Sequence, residues 1–323
     1  MTTPRSMISS ITTGANRLGG RTFLLNGLAD HFGAQVVRIM LRENAKLMVV
    51  NPTEAPLNAL MAALEKDGVE TSRLRVATVD TSDPEICREV VKATMQAYGG
   101  KLHGLVNSGG RPGPQRSLED IPFTEAERLA SGDDATMVDS AYELLGGPWN
   151  MARIAAEHME PGGVIVNVST IFSRTPYYGR IPYTVPKAGM NAMSIGLAHE
   201  LGGVGKHVRV NTVFPGPIDS DRIRGVFKQM DELQELEPGS TAREFRKLMI
   251  LERRAGDDPE ESAYLVPEDV ATTVLFLCST EAAAFTGQSV EDTTGMREPA
   301  ESRSKLVCWQ ERGIVGLRGD GVL

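Results

Sequence analysis

The sequence predicts an α/β fold, a doubly wound parallel sheet with helices on both faces. From Arg21 onward, short apolar runs alternate with longer amphipathic stretches. The runs are apolar at successive positions, as expected of strands buried on both faces. The chain has 323 residues, which suits one large α/β domain with extensions. In such a sheet a ligand is expected in the crevice at the carboxyl ends of the strands.

TFLLNG (22–27) reads as a buried strand, AQVVRIMLREN (34–44) as a helix, KLMVVN (46–51) as a strand and EAPLNALMAALEKDG (54–68) as a helix closed by Gly68. LRVATVD (74–80) is a strand, DPEICREVVKATMQAYGG (83–100) a helix with its own glycine stop, and HGLVNSGG (103–110) a strand and turn. A long polar region, 111–137, precedes a helix that runs through Ala155 and His158. VIVNVS (164–169) is the next strand, followed by a helix from Tyr183 to Leu201 and a strand VRVNTVFPG (208–216). Residues 217–265 are charged and helical in parts. They read as an insertion before the last strand, lying over the ligand edge as a lid or substrate cap. PEDVATTVLFLCS (267–279) is a helix and GQSVEDTTGM (287–296) the last strand region. The organisation is a loose polar arm over 1–20, one domain over 21–296 and a charged, irregular tail over 297–323.

Apolar residues make up 41% of the chain and charged residues 24%, enough to bury a sizeable core. The net charge of -8 and the lack of a basic tract argue against nucleic acid or an anionic membrane as partner. No apolar run approaches the ~20 residues of a membrane span, and residues 1–20 lack the apolar core of a secretory signal. Cys87, Cys278 and Cys308 are scattered, as ordinary free thiols of a cytoplasmic protein would be. The five histidines show no metal-ligand spacing, and no metal is expected.

The stretch RIPYTVPKAGMNA (180–192) carries the chemistry. Tyr183 and Lys187 are four apart on a helix and share a face. VNVST ends a strand at Thr170, 13 residues before Tyr183. A free phenol, with a pKa near ~10, is a weak acid–base at neutral pH, and a neighbouring ammonium stabilises its ionised form. A hydroxyl from Ser169 or Thr170 can hold a substrate oxygen while Tyr183 delivers a proton to it. Pro186 falls in the first turn of a helix starting at Tyr183, where a missing N–H costs little.

These residues resemble the short-chain dehydrogenase/reductase family over about residues 20–296. The resemblance implies a Rossmann-type sheet, a nicotinamide dinucleotide, and a Ser/Thr–Tyr–Lys centre at Thr170 with Ser169, Tyr183 and Lys187. NVSTIFSRTPYYGRIPYTVPKAGMNAMS and RVNTVFPGPIDSDRIRGVFKQMDEL resemble, more narrowly, the N-terminal reductase modules of bifunctional bacterial malonyl-CoA reductases. Those modules imply NADPH as cofactor and reduction of malonate semialdehyde to 3-hydroxypropionate. The tail from Lys305 resembles the link to a further reductase-like domain. The cofactor-binding set implied is Gly27, His31, Phe32, Gly33, Asn51, Asp80, Asn107, Gly109, Tyr183, Lys187, Pro215, Gly216 and Ile218.

The family's TGxxxGxG loop reads NGLADHFG here, with Asn26 and His31 replacing Thr and the middle Gly. His31 is either a cationic phosphate contact in a widened loop or a sign that cofactor binding is weakened. Asn51 and Thr53 are neutral, so the residues themselves do not choose between NAD and NADP. Asp80 is either an adenine contact or a cap for the helix at 83. Glu143 stands where the family's proton-relaying asparagine is found. It either holds water near Lys187, offsets that lysine, or lies on a helix surface. The alternative to an enzyme is therefore a degenerate reductase domain with a structural role in a larger reductase.

Arg174, Arg180 and Arg222 are the candidate clamps for a substrate carboxylate, since a guanidinium binds it bidentately. The resemblance also implies association through two long helices, roughly 137–159 and 183–201. The second has small or flexible apolar residues (Ala188, Met193, Gly196, Leu197) on a further face. The expected partner is a second copy, giving a homodimer, or a neighbouring reductase-like domain, giving a pseudo-dimer.

Overall fold

The computed structural model describes residues 16–28, 31–109, 114–122, 124–133, 136–203, 206–249 and 264–296. Seven strands form one sheet: β1 (Thr22–Asn26), β2 (Lys46–Asn51), β3 (Leu74–Thr78), β4 (Leu102–Asn107), β5 (Met159–Val168), β6 (Arg209–Pro215) and β7 (Ser289–Asp292). Their order is β3-β2-β1-β4-β5-β6-β7. Every pairing is parallel. The order reverses between β1 and β4, and that switch point opens the crevice in which ligands bind.

Helices cover both faces. On one, α1 (His31–Arg42), α2 (Glu54–Lys66) and α9 (Pro267–Cys278) bury Val36, Met40, Leu57, Leu64, Val270 and Val274 against the sheet. On the other lie α3 (Pro84–Ala97), α5 (residues 137–158) and α6 (Ile181–Gly203), which contribute Val91, Met151, Ala155 and Leu197. Helix α5 consists of Met137–Ala141 and Gly147–His158, joined by a π turn at Tyr142–Gly146. Asp83 caps α3, accepting from the Glu85 N–H at 2.8 Å. Among the described residues no helix is long and apolar enough to cross a membrane.

Between β6 and β7 the chain leaves the sheet as α7 (Asp221–Leu233) and α8 (Ser240–Leu248). Asp231 pins them together, accepting from the Gly239 and Thr241 N–H groups at 2.7 and 2.8 Å. Phe227 stacks on Phe245 with ring centroids 4.7 Å apart, and Phe172 meets Phe245 edge-on at 5.8 Å. This separate apolar cluster fixes the two helices over the segment that follows β5.

Several expectations need adjustment. Residues 16–20 pack instead of forming a loose arm: Leu18 is buried, and Arg17 reaches Glu43 through its N–H and Glu281 through its side chain. The polar region after β4 contains α4 (Glu125–Ser131), started by a reciprocal cap between Thr124 and Glu127. Helix α6 begins at Ile181, so Pro186 lies in its second turn and leaves the Pro182 carbonyl without its usual donor. The rest of the arm, residues 250–263 of the lid and the tail lie outside the described residues.

Candidate active site

The strand ends open into a cleft of about 640 Å³. Along it lie Phe32, Gly27 and Gly109 at the switch point, then Asn51 at the end of β2 and Asp80 after β3. Ser169, Thr170, Glu143, Tyr183 and Lys187 form its centre, and Pro215, Gly216 and Ile218 its far wall. Arg180 and Arg222 also line it. Of the expected residues, the fold thus brings together all but Gly33, Asn107, Arg174 and His31, whose side chain lies outside the described residues.

The centre is rigidly built. Thr170 lies two residues beyond β5, where its Oγ1 accepts from the Phe172 N–H at 3.3 Å, an interaction that does not use its own O–H. Ser169 is committed elsewhere: its hydroxyl donates to the Lys187 carbonyl at 3.0 Å and ties α6 to the strand end. Lys187 is buried, and its Nζ donates to the Val168 carbonyl at 2.8 Å. Tyr183 lies one helical turn earlier, so its hydroxyl and the ammonium face the same space. Glu143 enters the cleft from the π turn of α5, an irregularity that re-aims side chains at functional sites.

At the switch point, Gly27 has φ +74°, and a Cβ there would lie 2.0 Å from the Gly109 Cα. The two loops therefore cross backbone on backbone, which only glycine permits. Gly33 serves packing: a Cβ would sit 2.6 Å from the Leu28 carbonyl carbon. Asp80 closes a local turn by accepting from the Ser82 N–H at 2.9 Å. Asn150 fixes the same loop by donating to the Thr81 and Ser82 carbonyls at 3.2 and 3.0 Å. Asn51 donates to the Thr53 carbonyl and hydroxyl at 3.0 and 3.2 Å.

Asn107 lies behind the cleft in a buried amide ladder. Asn26 donates to Asn107 at 3.2 Å, Asn107 to Asn167 at 3.0 Å, and Asn167 to the Ser194 hydroxyl of α6 at 2.8 Å. The register sets Asn26 opposite Asn107 and Asn107 opposite Asn167, so β1, β4 and β5 are cross-linked just below the site. Asn26, which replaces the family's Thr, extends this ladder toward the glycine loop.

The arginines divide sharply. Arg174 pairs with Glu291 of β7, its guanidinium 4.4 Å from the Phe214 ring centre, and does not line the cleft. Arg180 is buried in the cleft wall with its guanidinium 4.7 Å from the Tyr183 ring centre. Among the described residues it has no carboxylate partner, and its side chain makes one hydrogen bond, to Gln115 Oε1 at 3.2 Å. Burial pushes its pKa down to about 10; Tyr183 opposes this and Arg222 adds to it. It remains a cation at neutral pH, desolvated and with guanidinium donors to spare. Gln115, which bonds it, falls in the polar region after β4. No local motif marks it.

A Tyr–Lys pair and a threonine hydroxyl facing a crevice at the switch point of a doubly wound sheet define a class. The chain belongs to the short-chain dehydrogenase/reductase family, and the family model described as enoyl-(acyl carrier protein) reductase matches residues 27–297. Its fold matches the crystal structure of the N-domain, with NADP, of a bacterial malonyl-CoA reductase, with a TM-score of 0.81 and 41% identity. That match covers 88% of this chain, which spans about half (53%) of the other. General stress protein 39 of Bacillus subtilis is 27% identical over 286 residues, 87% of this chain and 86% of its own. The 7alpha-hydroxysteroid dehydrogenase of Bacteroides fragilis is 26% identical over 279 residues, 85% and 93% of the two chains.

Proposed function

We propose that the chain is an NADPH-dependent reductase of a small carboxylated aldehyde, malonate semialdehyde in the first instance, forming 3-hydroxypropionate. The observation that carries this is Arg180: a buried guanidinium without a carboxylate partner among the described residues, in the cleft wall beside Tyr183. A desolvated cation with open donors favours an anion, and a planar carboxylate fits it best. Arg222 lines the same cleft and adds positive charge.

The residues present suit a dinucleotide. Gly27 and Gly109 leave room for close backbone approach. Asn51 and Asp80, which line the cleft, would hold the adenosine end, and Pro215 to Ile218 the nicotinamide end. The end of β2 carries no carboxylate to repel a 2′-phosphate. This agrees with the NADP in the malonyl-CoA reductase N-domain. When bound, NADPH supplies the hydride for the carbonyl carbon and is left as NADP⁺.

The chain's own residues handle the oxygen. The Thr170 hydroxyl donates to the substrate carbonyl and orients it. Tyr183 gives its phenolic proton to the same oxygen, forming the new O–H bond. The Lys187 ammonium stabilises the phenolate left behind until a solvent proton restores it. Glu143, which enters the cleft from the π turn of α5, would hold water for that return. Arg180 anchors the carboxylate so that the aldehyde reaches Thr170 and Tyr183 in one orientation.

We further infer association through α5 and α6 with a second copy or a related domain. Val138, Trp149 and Ile195 are exposed there, and an apolar groove runs between the helices past Leu145, Met193 and Gly196. Such a face suits a partner.

The test of the cofactor reading is a titration with NADPH and NADH, followed by nicotinamide fluorescence and thermal shift. Tighter binding of NADPH is expected. Binding of neither at millimolar concentration would overturn the reading and leave a structural domain.

A further inference from the structure

We propose that Gln115 is a specificity-determining residue: it aims the Arg180 guanidinium at the substrate carboxylate and makes that aim depend on the seating of lid helix α7. The inference rests on the proposed function, since it concerns the group that would recognise the substrate's acid end.

The Gln115 carboxamide is bonded at both ends. Its Oε1 accepts from Arg180 Nη1 at 3.2 Å, and its Nε2 donates to the Val226 carbonyl of α7 at 3.2 Å. Only one amide orientation works. A guanidinium can only donate and a backbone carbonyl can only accept, so a flipped amide would lose both bonds. Val226 itself lines the cleft. The amide therefore links the lid to the arginine directly.

The surrounding backbone gives this link a fixed frame. The Arg116 N–H donates to the Gly179 carbonyl at 3.2 Å, which ties the segment carrying Gln115 to the residue before Arg180. Gly179 has φ +72°, and a Cβ there would come within 3.2 Å of both the Arg116 carbonyl oxygen and Leu233 of α7. Three segments thus meet with no room for a side chain. The Tyr183 ring supports one face of the guanidinium and Gln115 holds one of its edges. Plane and rotation are both set, as bidentate capture of a carboxylate needs. If α7 moves away, the amide loses Val226 and the guanidinium loses its guide.

The experiment compares wild type with Gln115→Leu, Gln115→Asn and Gln115→Glu. Kinetics are measured on malonate semialdehyde and on propanal, a neutral aldehyde of equal length. Nicotinamide fluorescence checks that each variant binds NADPH with wild-type affinity. Gln115→Leu loses both bonds, and Gln115→Asn is one methylene too short to bridge. Both should raise KM for malonate semialdehyde about 10- to 100-fold while changing kcat far less, the cost of misplacing a positioning group. Gln115→Glu sets a carboxylate against Arg180 in competition with substrate and should raise that KM further. A wild-type KM in any variant that binds NADPH normally overturns the assignment. For isotopically labelled wild type, the Gln115 side-chain amide resonance should shift when malonate is added; no shift also overturns it. Should wild type itself show no preference for malonate semialdehyde over propanal, the proposed function fails, and the role of Gln115 with it. A wild-type preference that every variant retains removes only Gln115.

Discussion

Replacing Arg180 with methionine should make the protein less selective at little cost in stability. The burial that lowers the Arg180 pKa to about 10 disfavours its charged form in the folded state. An arginine in an unfolded chain keeps its charge to higher pH, so burial opposes folding, by at most a few kcal/mol. The sign follows from the direction. For a base with a lowered folded-state pKa, the penalty is fully present below about 10 and disappears only as pH rises past the unfolded value. Methionine fills similar volume without charge; the lost contact with the Tyr183 ring offsets about 1 kcal/mol, and Gln115 Oε1, left without its donor, about 1–2 kcal/mol more. The terms nearly cancel, and Tm should change by no more than about 3 °C. Removing one partner of a desolvated charge pair costs about 2–5 kcal/mol in binding. The kcat/KM ratio of malonate semialdehyde to propanal should therefore fall about 30- to 5,000-fold. Thermal unfolding and steady-state kinetics measure both. A Tm lowered well beyond that, or an unchanged ratio, would refute the reasoning.

Tyr183→Phe keeps the ring that supports Arg180 but loses the proton. Turnover should drop by about 10²–10⁴ with an unchanged circular dichroism spectrum, and a wild-type rate would remove the residue from the mechanism. The preference for the carboxylated aldehyde should hold from neutral pH to about pH 9 and fade as Arg180 deprotonates near pH 10. A preference that is lost between pH 6 and 8 would point to another group. Gly196→Arg should weaken self-association in sedimentation, because a side chain there meets nothing within the chain itself. An unmodified chain that sediments as a monomer at tens of micromolar would contradict the homodimer.

Much of the architecture could be read from the chain because its signals are local. The runs KLMVVN and LRVAT and the helices bounded by Gly68 and the Gly99–Gly100 pair lie where continuity and glycine stops put them. The cap at Thr124 and Glu127 was equally local, yet it is embedded in a polar region whose composition hid it. The central Tyr183, Lys187 and Thr170 share a space because helical spacing and a strand end are periodic features. The arginines could not be separated this way. Arg174 is drawn off by Glu291, more than a hundred residues away, while Arg180 is held by Gln115, 65 residues earlier in the chain. Which of the two lines the cleft is a tertiary outcome. Asn107 likewise reads as part of a cofactor turn, but its amide is committed to a ladder whose other rungs lie on β1 and β5. Leu18 reads as part of a polar arm, yet it completes the core beside α1.

The most direct measurement is turnover of malonate semialdehyde by the purified chain with NADPH, read by loss of the reduced nicotinamide absorbance and by NMR of the product. The account predicts one 3-hydroxypropionate formed per NADPH oxidised, with kcat/KM at least about 30-fold above that for propanal. No turnover, or equal kcat/KM for the two aldehydes, would contradict it.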